Sequence, residues 1–306
     1  MINLSSKSLP WNRFNNFITP DIDRFTVLKN ILEETGLKYK VITISGNRHF
    51  FISPPQGEAP KSTNGIIHEP KKKQTILVAH YDRVSGSQGA NDNSTAVFLL
   101  IETALKLLKN NIQNWYIIFT DKEELTSGEG IKNQGAYTLA AGLISAGLEH
   151  ARVYNFDACG RGDTLIISTS AEHLVKNENS ERINKFRTSI KDLQEYALEK
   201  AKHLGIGKVM LAPTPFSDDA GFLHAGLAAQ TITVLPSNES SKLISMLRRD
   251  PAFAHVLVNQ KSRNAGSQLL IPETWQILNT AKDSVSRLTP ENFYIVLRFA
   301  ESLCKG

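Results

Sequence analysis

Three short runs carry the clearest signal in the chain: Thr75-Ile-Leu-Val-Ala79, Trp115 to Thr120 and Ala151 to Phe156. The first two are almost continuously apolar, the third is broken by Arg152 and Asn155, and all are rich in β-branched or aromatic residues and too short for helices. Such runs mark strands buried on both faces, as parallel strands are. Between them the period changes: from Ala96 to Leu108, and again from Ala136 to Ala146, apolar residues recur at helical spacing. Strand and helix in alternation predict crossover units and a mostly parallel sheet, the α/β class.

The flanks read the same way. From Asp21 to Thr35 the residues Ile22, Phe25, Leu28, Ile31 and Leu32 share one helical face, and Gly36 closes the helix. Tyr39 to Ile44 and His49 to Ser53 form a hairpin at the sheet's edge, joined by Ser45-Gly46-Asn47-Arg48, with His49 a plain strand residue. Pro54 to Gln74, which holds His68, is a polar loop. Further on, Asp163 to Ser168 is a strand, and Ile183 to His203 a long helix turning Phe186, Ile190, Leu193 and Leu198 inward. Ser217-Asp218-Asp219 opens a short helix through Ala225, its acids suited to the positive end of the helix. Gln230 to Leu235 is a central strand. Glu239 to Gln260 is helical with a break at Pro251, and Thr289 to Leu303 is a terminal helix with Pro290 in its first turn.

At 306 residues, 41% hydrophobic and 21% charged, the chain can build one large core, and a single domain spanning residues 1–306 is expected. The net charge of +5 comes from scattered basic residues apart from Lys71 to Lys73, without aromatic interleaving, so no nucleic-acid partner is expected. Cys159 and Cys304 lie far apart and form no CxxC pair, which fits reduced thiols in a cytoplasm. The N-terminus lacks a signal-like apolar stretch, and no window reaches the ~20 apolar residues of a membrane span. A cytoplasmic protein with no membrane partner is expected. Arg161-Gly162-Asp163 reads as a turn, and the oligomeric state is not legible.

Chemistry gathers where the apolar runs end. His80 follows the first run, with Asp82 two residues on. Gly89-Ala90-Asn91 leads into Asp92 at a helix entrance, where a lone carboxylate would ordinarily be a cap. The second run meets Asp121-Lys-Glu123-Glu124 and the third ends at Asp157. In open α/β sheets ligands bind at the carboxyl ends of strands. Imidazole and carboxylate donors there suit divalent metals. His80, Asp92, Glu124 and Asp157 have the composition to hold one or two ions with a bridging carboxylate, and Glu123 beside them is free to act as a general base.

Six segments together resemble the zinc aminopeptidases, whose fold is shared with zinc carboxypeptidases and glutaminyl cyclases. They are Ala79-His-Tyr-Asp82, Gly89-Ala-Asn-Asp92-Asn, Asp121-Lys-Glu-Glu124 with Gly135-Ala-Tyr137, Asn155-Phe-Asp157, Ser217-Asp-Asp-Ala-Gly-Phe222 and Gln276-Ile-Leu-Asn-Thr-Ala-Lys-Asp-Ser284. The resemblance implies a three-layer αβα fold of the zinc-exopeptidase kind and a metal-dependent aminopeptidase acting on the N-termini of peptides. It implies His80 and Asp157 as ligands of one zinc, Asp92 as the bridge and Glu124 as a ligand of a second zinc. Asp82 would orient His80. Glu123 would accept a proton from the activated water and pass it to the leaving amine. Manganese or cobalt are alternatives to zinc.

One position departs from the pattern. Where that family carries a histidine completing the second site, this chain has Asn279, followed by Thr280-Ala-Lys-Asp283. An amide oxygen is a weak neutral ligand beside imidazole, so the expectation is one tight ion and a weakened second site. His224 is the nearest candidate to replace it. Lys282 and Arg287 read as surface residues. Two other functions stay open: a non-catalytic relative that binds a peptide or protein partner, and an acyl transferase of the glutaminyl-cyclase kind. The second is disfavoured because its zinc would need residues matching Asp92, Glu124 and the histidine replaced by Asn279. Residues 237–273 form a possible insertion near the site, and the preferred substrate side chain is not legible.

Overall fold

The computed structural model describes residues 9–55, 73–174, 180–259 and 265–305. Most of the polar stretch from Pro54 to Gln74, with His68 and Lys71, lies outside them. The strands are β1 (Tyr39–Ile44), β2 (Asn47–Ile52), β3 (Thr75–His80), β4 (Trp115–Thr120), β5 (Arg152–Phe156), β6 (Thr164–Ser168), β7 (Val209–Ala212) and β8 (Ala229–Leu235). They make one eight-stranded sheet in the order β1-β2-β4-β3-β5-β8-β6-β7. At its centre β4, β3, β5 and β8 run parallel, so their carboxyl ends open on the same side.

Side chains alternate between the faces, and this alternation builds the three layers. The helices are α1 (Arg24–Thr35), α2 (Thr95–Lys109), α3 (Gly135–Ser145), α4 (Glu181–His203), α5 (Asp218–His224), α6 (Ser237–Arg249), α7 (Phe253–Val258) and α8 (Phe293–Cys304), with shorter pieces between. Leu77, Ala79, Ile117, Phe119, Tyr154 and Ile232 face a core shared with α1, α2, α4 and α8. Ile76, Val78, Ile118, Val153 and Ala229 point the other way, onto α3 and α5. On that second face, Ile166, Ala212 and Leu235 of the last strands pack against Leu243, Phe253, Leu257 and Trp275. Residues 237–259 thus cover the far end of the sheet. Arg161 fastens them there, 3.2 Å from Glu239 and 2.9 Å from Glu273.

The structure departs from the sequence reading in several local ways. The hairpin turn is only Ser45-Gly46, both at positive φ (50° and 85°), the two-residue turn whose twist matches paired strands. β2 therefore starts at Asn47. Asp23 caps α1 by accepting from Phe25 N, so the helix begins at Arg24 rather than Asp21. Asp250, extended before Pro251 as the proline ring requires, separates α6 from α7. β7 has no counterpart in the reading, because it is four residues long and half exposed. β6 lies antiparallel to β8; the link from Asp157 to Asp163 is too short to return a strand in the parallel sense. At the N-terminus Trp11, Phe14 and Phe17 are buried against Phe98 and Phe293, with ring centroids 5.0 to 5.5 Å apart. No helix among the described residues is long and apolar enough to cross a membrane.

Candidate metal centre

His80 is the last residue of β3, and its ring is fully buried. Nδ1 lies 3.3 Å from Asp82 Oδ1, while Nε2 lies 3.0 Å from Asp92 Oδ1 and 3.8 Å from Asp157 Oδ1. Neither ring nitrogen has a partner in hydrogen-bond geometry, and Asp157 Oδ1 has none either. His80, Asp92 and Asp157 offer ligand atoms within 4.8 Å of one another, as do His80, Glu123 and Glu124. Donors of a tetrahedral ion bound at ~2.0–2.2 Å stand roughly 3.3–3.6 Å apart. Ligand atoms gathered at about that spacing, with the buried His80 nitrogens and Asp157 Oδ1 lacking hydrogen-bond partners, fit a divalent cation.

Two carboxylates outside these two groups hold the main chain around them. Asp82 accepts from the backbone N–H of Glu123 (3.2 Å) and of Glu124 (3.0 Å), so the group behind His80 also fixes the acidic loop. Burial alone would raise Asp82, but contact with His80 and these two amides outweighs it and leaves the carboxyl below its ordinary value. Asp283, fully buried, accepts from Asn91 N (2.8 Å) and Asp92 N (3.0 Å). Asn91 and Asn93 tie the same turn to the end of β5 through Gly160 N and Phe156 O. Asp92 is not a helix cap. It and Asn93 have non-helical backbone angles, α2 begins only at Thr95, and no side chain caps it.

The remaining acids crowd the same space. Glu124 is pushed up to about 9, first by burial and then by Asp92. Burial and the repulsion of Glu124, Asp157 and Asp218 hold Glu123 well above the carboxylate range against the pull of His80. Burial also raises Asp92, helped by Asp157. Carboxyls this unfavourable to ionise together call for a local cation, which reverses the balance.

Further residues come to the centre that the sequence reading did not assign to it. Asp218, the first residue of α5, is fully buried, accepts from Thr120 Oγ1 and leaves Oδ1 without a partner. Burial moves it up to about 7 despite His80 and Thr120. Gln134 donates to Glu123 Oε1 (3.4 Å) and to Ser217 O (3.3 Å), joining the acidic loop to the start of α5. Gly135 is required beside it, since a Cβ there would sit 1.8 Å from Asp121 O. The Ser217-Asp-Asp and Gly135 segments carried the only sequence signal for this part of the site. Asn279, at φ 61°, is exposed and places Nδ2 2.9 Å from Glu124 Oε2. His224 does not reach the centre: it is exposed at the opposite end of α5, in a cleft with His150 and Phe186. Lys282 is exposed, and Arg287 pairs with Glu273 at 3.2 Å.

Comparison with known proteins follows the same lines. The fold matches BSAP, a zinc aminopeptidase from Bacillus subtilis, at TM-score 0.51 and 17% identity over 84% of this chain and 48% of that one. It matches the Legionella pneumophila LapA aminopeptidase at 0.59 and 13%, over 96% of this chain and 69% of that one. Porphyromonas gingivalis glutaminyl cyclase matches at 0.59 and 15%, over 96% and 94%. At these identities the likeness is one of fold, and the chain spans about half the length of the Bacillus enzyme. Curated protein sequences give no match. The model of peptidase family M28 matches residues 65–263, a stretch that holds His80, Asp92, Glu123, Glu124 and Asp157. With well over half of its length so matched, the chain belongs to peptidase family M28.

Proposed function

We propose that this chain is a zinc-dependent exopeptidase, an aminopeptidase removing N-terminal residues from peptides, with Glu123 as its general base. The observation that carries the reading is His80 Nε2, buried and facing Asp92 and Asp157 without a hydrogen bond to either. His80, Asp92 and Asp157 would hold the tight ion, with Glu124 offering a ligand to a second. Bound there, zinc supplies Lewis-acid polarisation of the scissile carbonyl and brings the acidity of water towards ~7.

The chain's own residues do the rest. Asp82 behind Nδ1 keeps the proton on that nitrogen and leaves the Nε2 lone pair for the ion. It also anchors the backbone of Glu123, while Gln134 steadies the Glu123 carboxylate from the side. Glu123 takes one proton from the attacking water as the new C–O bond forms and gives it to the amine nitrogen as the C–N bond breaks. The Asn279 amide donates to Glu124, so one oxygen of that carboxylate is engaged. This favours one tight ion over two, and weighs against cyclase-type chemistry, for which the resemblance requires a histidine at that position. Cys159 and Cys304, both free and buried, suit a reducing cytoplasm.

The test pairs metal content with turnover. Protein purified without chelator should carry close to one zinc, and Glu123→Gln should keep that zinc while lowering peptide hydrolysis by about 100-fold or more. Near-normal hydrolysis by E123Q removes Glu123 from the mechanism. No metal uptake from zinc, manganese or cobalt would favour a non-catalytic, partner-binding relative.

A further inference from the structure

Arg24 lies outside the stretch that matches the family, yet its guanidinium ends beside the metal centre. It is the first residue of α1, 5% exposed, and its N–H groups reach four main-chain carbonyls and one hydroxyl. Nη1 donates to Tyr81 O and Asp82 O, both at 3.0 Å. Nη2 donates to Gly89 O (3.4 Å) and to Ser94 Oγ, and Nε to Phe17 O (3.4 Å). The planar head lies 4.3 Å from the centre of the Phe17 ring.

Local energetics do not explain an arginine here. A cation in the first turn opposes the helix dipole. A buried charge whose hydrogen bonds go to neutral acceptors is also costly unless all its donors are used. What the position achieves is a join. Tyr81 and Asp82 leave the end of β3 directly after His80, and Gly89 and Ser94 bracket the turn that carries Asp92. Gly89 itself is held at φ 59°, where a Cβ would meet Asp92 O at 2.7 Å, so the turn is already tightly folded. Only a fork of several N–H groups in one plane reaches both segments at once; an ammonium is a point donor and does not.

We propose that Arg24 is a positioning residue of the metal centre: by bridging the main chain at residues 81–82 to the turn at 89–94, it sets His80 and Asp92 at ligand spacing. The proposal rests on the metal-centre reading above. Arg83 works alongside it, donating to Ile18 O, Thr19 O and Gln88 O and so pinning the intervening loop to the same N-terminal segment. Residues 17–24 thereby act on a site whose ligands all come from residue 80 onwards.

The experiment measures zinc affinity, by competition with a chromogenic chelator, together with the thermal stability of the metal-free protein. The variants are Arg24→Met, Arg24→Lys and Phe14→Leu. Phe14 packs against Trp11 and Phe98 in the same N-terminal core, so F14L loosens that packing while leaving the Arg24 contacts in place. R24M should bind zinc about 10- to 100-fold more weakly than wild type, the range seen when groups that orient ligands are removed. R24K should recover part of that loss, and F14L should keep wild-type affinity despite a lower melting temperature. If R24M retains wild-type affinity, or if F14L loses as much affinity as R24M, Arg24 is a packing residue and the proposal falls. If R24M does not fold, R24K decides: weakened zinc binding supports the bridge, and wild-type affinity overturns it. Wild-type protein that binds no zinc overturns the metal-centre reading itself, a result distinct from the others because it needs no variant.

Discussion

The two halves of the candidate centre differ in how they are built. His80, Asp92 and Asp157 sit at or just past strand and helix ends, with side chains no more than 17% exposed. Each of their segments is tied down by other groups: Asp283 on the Asp92 turn, Arg24 on both sides of it, Asn93 on the end of β5. Glu124 belongs instead to a loop, and its neighbour Asn279 is exposed. The comparison teaches that the second position differs chiefly at its outer donor: Glu124 is itself desolvated and its backbone is held by Asp82, but the exposed Asn279 opens that position to water. A cation bound among buried, fixed donors interacts in a low dielectric and needs no reorganisation of its ligands. One bound at Glu124 and Asn279 competes with water and has a neutral amide where imidazole would bind better.

Removing a donor from the buried half should have the largest effect. His80→Ala should abolish tight metal binding and hydrolysis together, read by mass spectrometry of protein purified without chelator. Retention of one tight ion would mean that the buried half is not the primary site.

Next in size is the support beneath the loop half. His49 on β2 is buried and accepts from Asp121 N through Nδ1 (3.3 Å), just before Glu123 and Glu124. Burial lowers its pKa to about 4, against only a weak pull from Asp82. Above pH ~6.5 the imidazole is neutral in folded and unfolded chains alike. Between there and about 4 only the unfolded chain takes the proton, so the share of stability that His49 contributes falls as pH falls through this window and levels off below it. The raised acids of the metal-free centre, Glu124 and Asp218 among them, act in the opposite sense over the same range, so the share is read as a difference between two proteins. His49→Asn keeps an acceptor for Asp121 N, and the stability of wild type relative to this variant should drop by about 2 kcal/mol between pH ~7 and pH ~5 in metal-free protein, by urea unfolding; a difference that does not change with pH would show that His49 does not titrate in this way.

The smallest change should come from strengthening the weak half. Asn279→His should tighten a second ion by about tenfold or more, since imidazole replaces an amide. Titration with zinc, wild type beside variant, reads this directly. Two equally tight ions in the wild type would erase the distinction between the halves.

Much of this molecule was legible in advance because burial writes itself into short patterns. β3 and β4 are nearly continuous apolar runs since both their faces are covered, β5 keeps the pattern around Arg152 and Asn155, and the acids at their ends stand out against those runs. β7 left no such mark, being short and half exposed. His224 sat in a promising segment, but the seven residues of α5 carry it to the end away from Asp218. Asp218 was visible only as a helix-opening acid, since nothing local separates a solvated first-turn carboxylate from one buried against Thr120.

The sequence by itself determined the class of fold and the strand ends at which chemistry gathers, because each depends on residue type and local spacing, and its resemblance to the zinc aminopeptidases marked the departure at Asn279. Only the tertiary structure decided which groups meet. Arg24 and Asp283 lie at opposite ends of the chain, 259 positions apart, and both hold the turn that carries Asp92. A hydrogen bond between such distant residues has no period and no local signature. It exists only once β3, α2 and the two termini are packed together, and that packing is what places His80 Nε2 3.0 Å from Asp92.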